Sequence, residues 1–162
     1  MKTVDVGGNS GIWKFRHAYC RAVAELLAPM PEGRILEIGC REARLVPGSD
    51  RMDIDPEHAD IAWDIRDTPW PLADKTYDLA IALEVWEHLH RGQLEAFGEL
   101  RRVARSAIMS FPYEWRESRL DDHLGIDHSV IGAWTGNHPA SFRQEIIPPD
   151  KPGRHLVLMF NF

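Results

Sequence analysis

The segment from Tyr77 to Pro112 constrains this chain more than any other. It opens with the apolar run YDLAIAL (Tyr77 to Leu83), passes through QLEAFGELRRVAR, and closes with SAIMSFP. The two outer pieces are short and nearly all apolar, as strands buried on both faces must be. The middle piece puts Leu94, Phe97, Leu100 and Val103 on one helical face. Strand, helix, strand in that order is a crossover between parallel neighbours, and the rest of the chain has to extend a sheet around it.

The remaining elements follow from the same periodicities. A helix is expected from about Ser10 to Ala28, where Ile12, Phe15, Tyr19, Val23 and Leu26 recur at helical spacing, Ser10 can cap the start, and PMPEG ends it. RILEIG reads as a buried strand, DRMDI as a second and ADIAWDI as a third. After a long polar and aromatic segment, FRQEII and HLVLMFNF give two more, joined only by PPDKPG. That link is too short for a parallel crossover, so the last two strands should pair antiparallel. The expected fold class is α/β: a doubly wound, seven-stranded, mostly parallel sheet with an antiparallel C-terminal hairpin strand. At 162 residues this fits one domain.

Composition narrows the partners. A formal net charge of −6 argues against a broad nucleic-acid-binding face. No apolar run approaches the length of a membrane span, and the first residues lack a signal-peptide core. Cys20 and Cys40 have no metal-like spacing and read as reduced thiols, so the expectation is a cytoplasmic protein with no membrane partner.

In such sheets ligands bind beyond the carboxyl ends of the strands. These ends read EIGC, DIDP, WDIRD, LEVWEHL and FPYEW, and the first four place a carboxylate at or beside the turn. A polyphosphate would be repelled there, whereas a ligand offering hydroxyls, an amine or a positive centre would be welcome. An acidic residue ending a second strand suits a ribose diol, and Asp53 or Asp55 holds that place.

ILEIGC, MDIDP, WDIRDTPWPLADKTYDLAIALEVWEHL and the closing hairpin resemble the class I S-adenosylmethionine-dependent methyltransferases, especially the small type-11-like branch. The likeness is best from Gly33 to Arg105 and rests on the combined spacing. It implies a Rossmann-like sheet, S-adenosyl-L-methionine as cofactor, and a division of the chain into an N-terminal lid and helix (1–30), a cofactor-binding core (33–112), a substrate loop (113–141) and a terminal hairpin (142–162). By position, it implies that Glu37 and Gly39 back the methionine part and that Asp53 grips the ribose hydroxyls with Ile54 beside the adenine. Asp64 and Ile65 would read the adenine edge, and Leu83 and Glu84 would line the sulfonium and amino-acid end. Trp13, Lys14 and Arg16 would belong to the lid. The chain departs from the family at Arg41 and Ala43, where glycines are usual, and the link from Gly39 to Asp53 leaves room for at most a turn or two of crossover helix.

The sulfonium already activates the methyl group, so transfer to an oxygen or nitrogen can rest on alignment and desolvation. An oxygen acceptor gains from a general base, for which His88, His123 and His128 are candidates. His123, His128 and His138 with Asp121, Asp122 and Asp127 fit no compact metal motif. DHSVIGAWTG instead reads as a helix capped by Asp127 and ended by Gly136, so this segment is expected to face an acceptor without a metal. Trp115 and Trp134 could stack on that acceptor, a small molecule or sugar. Arg101 and Arg102 read as a solvated helix face. The alternative is a domain that binds the same cofactor with a regulatory role.

Overall fold

A computed structural model of the chain describes residues 23, 25–27, 33–41, 44–116, 121–147 and 153–162. Most of the expected first helix lies outside them, as do Cys20, Trp13, Lys14 and Arg16; Val23 and residues 25–27 are helical. Seven strands follow: β1 (Ile35–Ile38), β2 (Asp50–Asp53), β3 (Ile61–Ala62), β4 (Leu79–Leu83), β5 (Ser106–Tyr113), β6 (Phe142–Ile146) and β7 (Arg154–Asn161). Helix α1 (Gln93–Val103) joins β4 to β5, and α2 (His128–Thr135) precedes β6. The strand order is β3-β2-β1-β4-β5-β7-β6. Strands β1 to β5 pair parallel. Strand β7 runs antiparallel to both β5 and β6, with Ser110 opposite Val157 and Gln144 opposite Val157 on its other edge. The sheet is therefore the expected α/β one, with a single reversed strand.

Alternation along the strands divides the core into two faces. Leu36, Ile38, Ala80, Ala82, Ala107, Met109, Phe111, Leu156 and Phe160 join Phe97 and Leu100 of α1 on one face. Ile35, Leu79, Ile81, Ile108 and Val157 form the other with Val23 and Leu27. That second face also takes in Leu45 and Val46, 3% and 1% exposed, from the link between β1 and β2. The described part of this link, 44–49, contains no helix. What inserts these two side chains is Glu37, itself 2% exposed on β1. Its carboxylate accepts the Leu45 N–H at 2.7 Å, the Val46 N–H at 2.7 Å and the Ser49 hydroxyl at 2.6 Å. Burial pushes this carboxyl up in pKa, and the three donors offset part of that.

Two expectations need correction. The third strand is only two residues long, because Asp64 accepts the Arg66 N–H at 2.9 Å and turns the chain out of the ladder. Arg102 is not a solvated face residue. Its guanidinium donates to Glu99 at 2.6 Å, Asp74 at 2.8 Å, and the carbonyls of Leu72 and Trp70 at 2.6 and 3.1 Å. Glu99 in turn accepts the Trp70 N–H at 2.6 Å. This ion pair fastens the loop before β4, with Trp70 in the core, to the flank of α1. Arg101 is exposed, as expected.

Two stability measurements follow. Arg102→Ala should cost about 2–3 kcal/mol, because buried carbonyls and Glu99 lose a shared charged donor, whereas Arg101→Ala should stay within about 0.5 kcal/mol. In a thermal melt this separates the pair by roughly 4–12 °C. Glu37→Gln should cost about 1–3 kcal/mol, since the new amide must aim its NH2 at a backbone donor. Equal melting of the Glu37→Gln variant and the parent would contradict the clasp.

Candidate functional site

Strand order reverses between β1 and β4, and beyond the carboxyl ends of β1, β2 and β4 lies a cleft of about 450 Å³, a volume ordinary for a small-molecule site. Gly39, Asp53, Ile54, Asp64, Ile65, Glu84, His88 and His123 all line it. The reversal of the sheet thus brings together residues spread over more than eighty positions of sequence.

The floor is set by backbone geometry at the end of β1. Gly39 has φ +64°, and its N–H donates to the Met52 carbonyl at 2.9 Å. A Cβ there would sit 2.7 Å from Val85 Cγ2, so glycine is needed both for conformation and for space. Two residues on, Arg41 also adopts the left-handed region, at φ +51°. The left-handed conformation that favours glycine is therefore adopted although the side chain is arginine. It is held by Asp53, whose Oδ2 accepts the Arg41 N–H at 3.0 Å while Oδ1 accepts the Asp55 N–H at 3.1 Å. Asp53 is buried at 6% exposure, and its oxygens keep further lone pairs for a ligand. Burial, with Glu37 and Asp53 nearby, pushes the neighbouring Cys40 thiol up to about 12, so it is an inert free thiol.

One wall of the cleft is apolar and flat-sided. Ile54 is 65% exposed, a large apolar side chain left open at the mouth. Trp63 and the buried Ile65 complete that side. Asp64 lines the same wall, but Arg66 already donates to both its oxygens, at 2.9 and 3.1 Å, and holds its carboxyl below the usual range. Any ligand contact by Asp64 is shared with that arginine.

The opposite end carries the titratable groups. Glu84, the residue after β4, sits at φ +56° and accepts from the Ser110 hydroxyl at 2.8 Å, with His155 Nδ1 3.3 Å away. A 3-10 turn, Trp86–Leu89, then supplies Glu87 and His88. A second 3-10 turn, Asp121–His123, brings His123 against them, with the two imidazole rings 5.4 Å apart. Trp115 packs its edge on His123 at 5.2 Å. Burial and the neighbouring His88 push His123 down from the ordinary histidine pKa, which favours the neutral ring.

Three expected site residues sit elsewhere. Glu37 accepts from the β1–β2 link and is not among the residues that line the cleft. Leu83 packs its side chain on the second core face. His128 is exposed at the start of α2, against Tyr113, outside the cleft lining. Its neighbour Asp127 caps α2 as expected, accepting the Val130 N–H at 2.9 Å, and Gly136 ends the helix. Trp134 packs against Phe111 and the core. The cleft also uses residues not anticipated, including Arg41, Trp63, Arg66 and Val85. Each is within two positions of an anticipated residue, so nearness to a strand end was the available signal.

No family model matches the chain, and no curated protein matches it in sequence. Solved structures do match. A protein of Pyrococcus horikoshii aligns with TM-score 0.67 and 14% identity, over 98% of this chain and 94% of its own. The N-methyltransferase NodS of Bradyrhizobium japonicum aligns with TM-score 0.66 and 16% identity, over 94% and 97%, and has also been solved with S-adenosyl-L-homocysteine. An rRNA methylase of Escherichia coli aligns with TM-score 0.61 and 16% identity, over 94% of this chain and 67% of its own. At such identities what is shared is the fold, and it is the class I methyltransferase fold that the sequence resembles.

The two left-handed residues of the floor should respond oppositely. Gly39→Ala should lose at least about 1–2 kcal/mol from its φ alone, and more from Val85. Arg41→Gly should change stability by under about 1 kcal/mol, because relief at φ +51° is offset by a freer unfolded chain. Urea denaturation of both variants checks this; equal losses would show that the turn is not held in the left-handed region.

Proposed function

We propose that this protein is an S-adenosyl-L-methionine-dependent methyltransferase that transfers the methyl group to an oxygen or nitrogen of a small-molecule or sugar acceptor. The observation that carries the proposal is the pairing of a buried carboxylate, Asp53, with an exposed apolar side chain, Ile54, at the switch point of the sheet. That pair offers a hydroxyl acceptor beside a stacking surface, which is what a ribose and its purine require. Ile65 and Asp64 extend the same wall, and Glu84 stands at the far end, where it can meet an ammonium or a sulfonium. Among the described residues that line the cleft Gly39 is the one glycine, in keeping with a nucleoside ligand that has no pyrophosphate.

The same reading treats residues 1–162 as one domain, with 1–30 as lid and helix, 33–112 as cofactor core, 113–141 facing the acceptor and 142–162 as terminal hairpin. Among the described residues no helix is long and apolar enough to cross a membrane. His88 and His123 line the cleft, which supports a role for them at its acceptor end, and the shared fold supports in-line transfer that depends on positioning and dehydration.

Calorimetric titration with S-adenosyl-L-methionine and with S-adenosyl-L-homocysteine tests the proposal. Binding at micromolar Kd is expected. Ile54→Ala should weaken it about tenfold, about 1.4 kcal/mol, with no change in melting temperature, because the side chain is exposed. Asp53→Asn should weaken it at least as much. Absence of binding by the parent chain, or equal binding by both variants, would overturn the assignment. Formation of S-adenosyl-L-homocysteine in an acceptor screen then separates a transferase from a domain that only binds.

A further inference from the structure

We propose that Glu87, His88 and His123 form a binding site for a divalent transition-metal ion at the end of the cleft. Each offers one ligand atom, and these atoms all lie within 4.8 Å of one another. Ligands about 2.1 Å from a tetrahedral ion stand about 3.4 Å apart, so the widest pair has to close by at most about 1.4 Å. The half-exposed side chain of His88 can provide it. Two imidazoles and one carboxylate are the donor set of ions from manganese to zinc, and three protein ligands leave positions open to water or substrate.

Further observations support a ligand role over a chance meeting of polar groups. His88 turns Nδ1 toward Asp122 Oδ2 at 3.3 Å and Nε2 toward Glu87 Oε1 at 4.0 Å. A carboxylate behind one ring nitrogen fixes the tautomer and frees the other for a metal. Both ring nitrogens of His123 are buried without a hydrogen-bond partner among the described residues. An imidazole placed so, with a Glu87 oxygen within 4.8 Å, lacks what an ion would supply. The two 3-10 turns come from distant parts of the chain, so their meeting is a product of the fold.

Glu84, His88 and His123 line the same cleft as Asp53. Resting on the methyltransferase reading, the ion would bind the acceptor through a hydroxyl. It lowers the pKa of that hydroxyl, whose proton passes to solvent. The oxygen then forms a bond to the cofactor methyl while the methyl–sulfur bond breaks, its electron pair remaining on sulfur. Under this assignment the two histidines are ligands and not general bases, and the acceptor atom is oxygen.

The test uses the full, tag-free chain. Co2+ titrated into it should give visible d–d absorption that saturates at one equivalent, and Zn2+ should displace it. His123→Ala and Glu87→Gln should each abolish the bands, and Asp122→Asn should weaken Zn2+ binding roughly 10- to 100-fold. His58→Ala, in the loop after β2 and outside the cleft lining, should bind as the parent does, and a melt of each variant establishes that it is folded. No bands in the parent, or unchanged bands in folded His123→Ala, would overturn the site. Titration with S-adenosyl-L-methionine in a chelating buffer keeps the two proposals apart. Cofactor binding without metal binding removes the metal site and leaves the methyltransferase reading, whereas metal binding without cofactor binding does the reverse.

Discussion

The arrangement of this molecule depends on one buried carboxylate. A parallel sheet needs cover on both faces, and between β1 and β2 the cover is normally a helix. Here the link is too short for a full one, and Leu45 and Val46 must be laid directly on the sheet. Their backbone N–H groups would be buried without partners, at roughly 1–3 kcal/mol each, had Glu37 not accepted both. The charge on Glu37 is unfavourable where it sits, and its three donors make it tolerable. In turn, the position of this link fixes the path from Gly39 through Arg41, and so the floor of the cleft.

The electrostatics of the cleft follow from which of its charges are already used. Asp64 is paired with Arg66, and Asp53 is held by two backbone donors. Glu84 lines the other end together with His88 and His123, and the buried Glu87 lies beside the two imidazoles. A ligand that spans the cleft therefore meets a hydroxyl acceptor and an apolar wall at one end and an anionic region at the other. An amino-acid-bearing nucleoside with a positive sulfur has that polarity; a dinucleotide has the opposite one.

Much of this was legible in the sequence, for reasons particular to each element. Strands β1, β4 and β5 are apolar runs that no amphipathic helix could contain, and the Asp127 and Gly136 caps are local chemistry that survives any tertiary context. The terminal hairpin followed from the length of its link alone. What was not legible depended on distance. Nothing near Glu37 says that its partners are Leu45, Val46 and Ser49 and not a ligand, and nothing near Arg102 names Trp70 and Leu72. The spacing of histidines within 121–138 suggested no metal, and it could not, because the second imidazole and the carboxylate come from the turn after β4. His128 was set apart from His88 by where α2 begins, which sequence separation does not encode.

Half of the departures from local rules fall in one region. Of the six described non-glycine residues in the left-handed region, Arg41, Glu84 and His90 follow β1 and β4, whereas Lys75, Glu114 and Asn137 lie in other turns. The first three each cost about 1 kcal/mol or more over an ordinary backbone conformation, and none of them is a residue chosen for turns. Local preference alone would have replaced Arg41 with glycine at once. An arginine kept there, with its N–H tied to Asp53, places a cation at the rim of a cleft otherwise rich in carboxylates. The strain at the strand ends and the charge pattern of the cleft thus meet in one place: the chain turns sharply where β1 and β4 part, and Arg41 and Glu84, both left-handed, line the cleft at that turn.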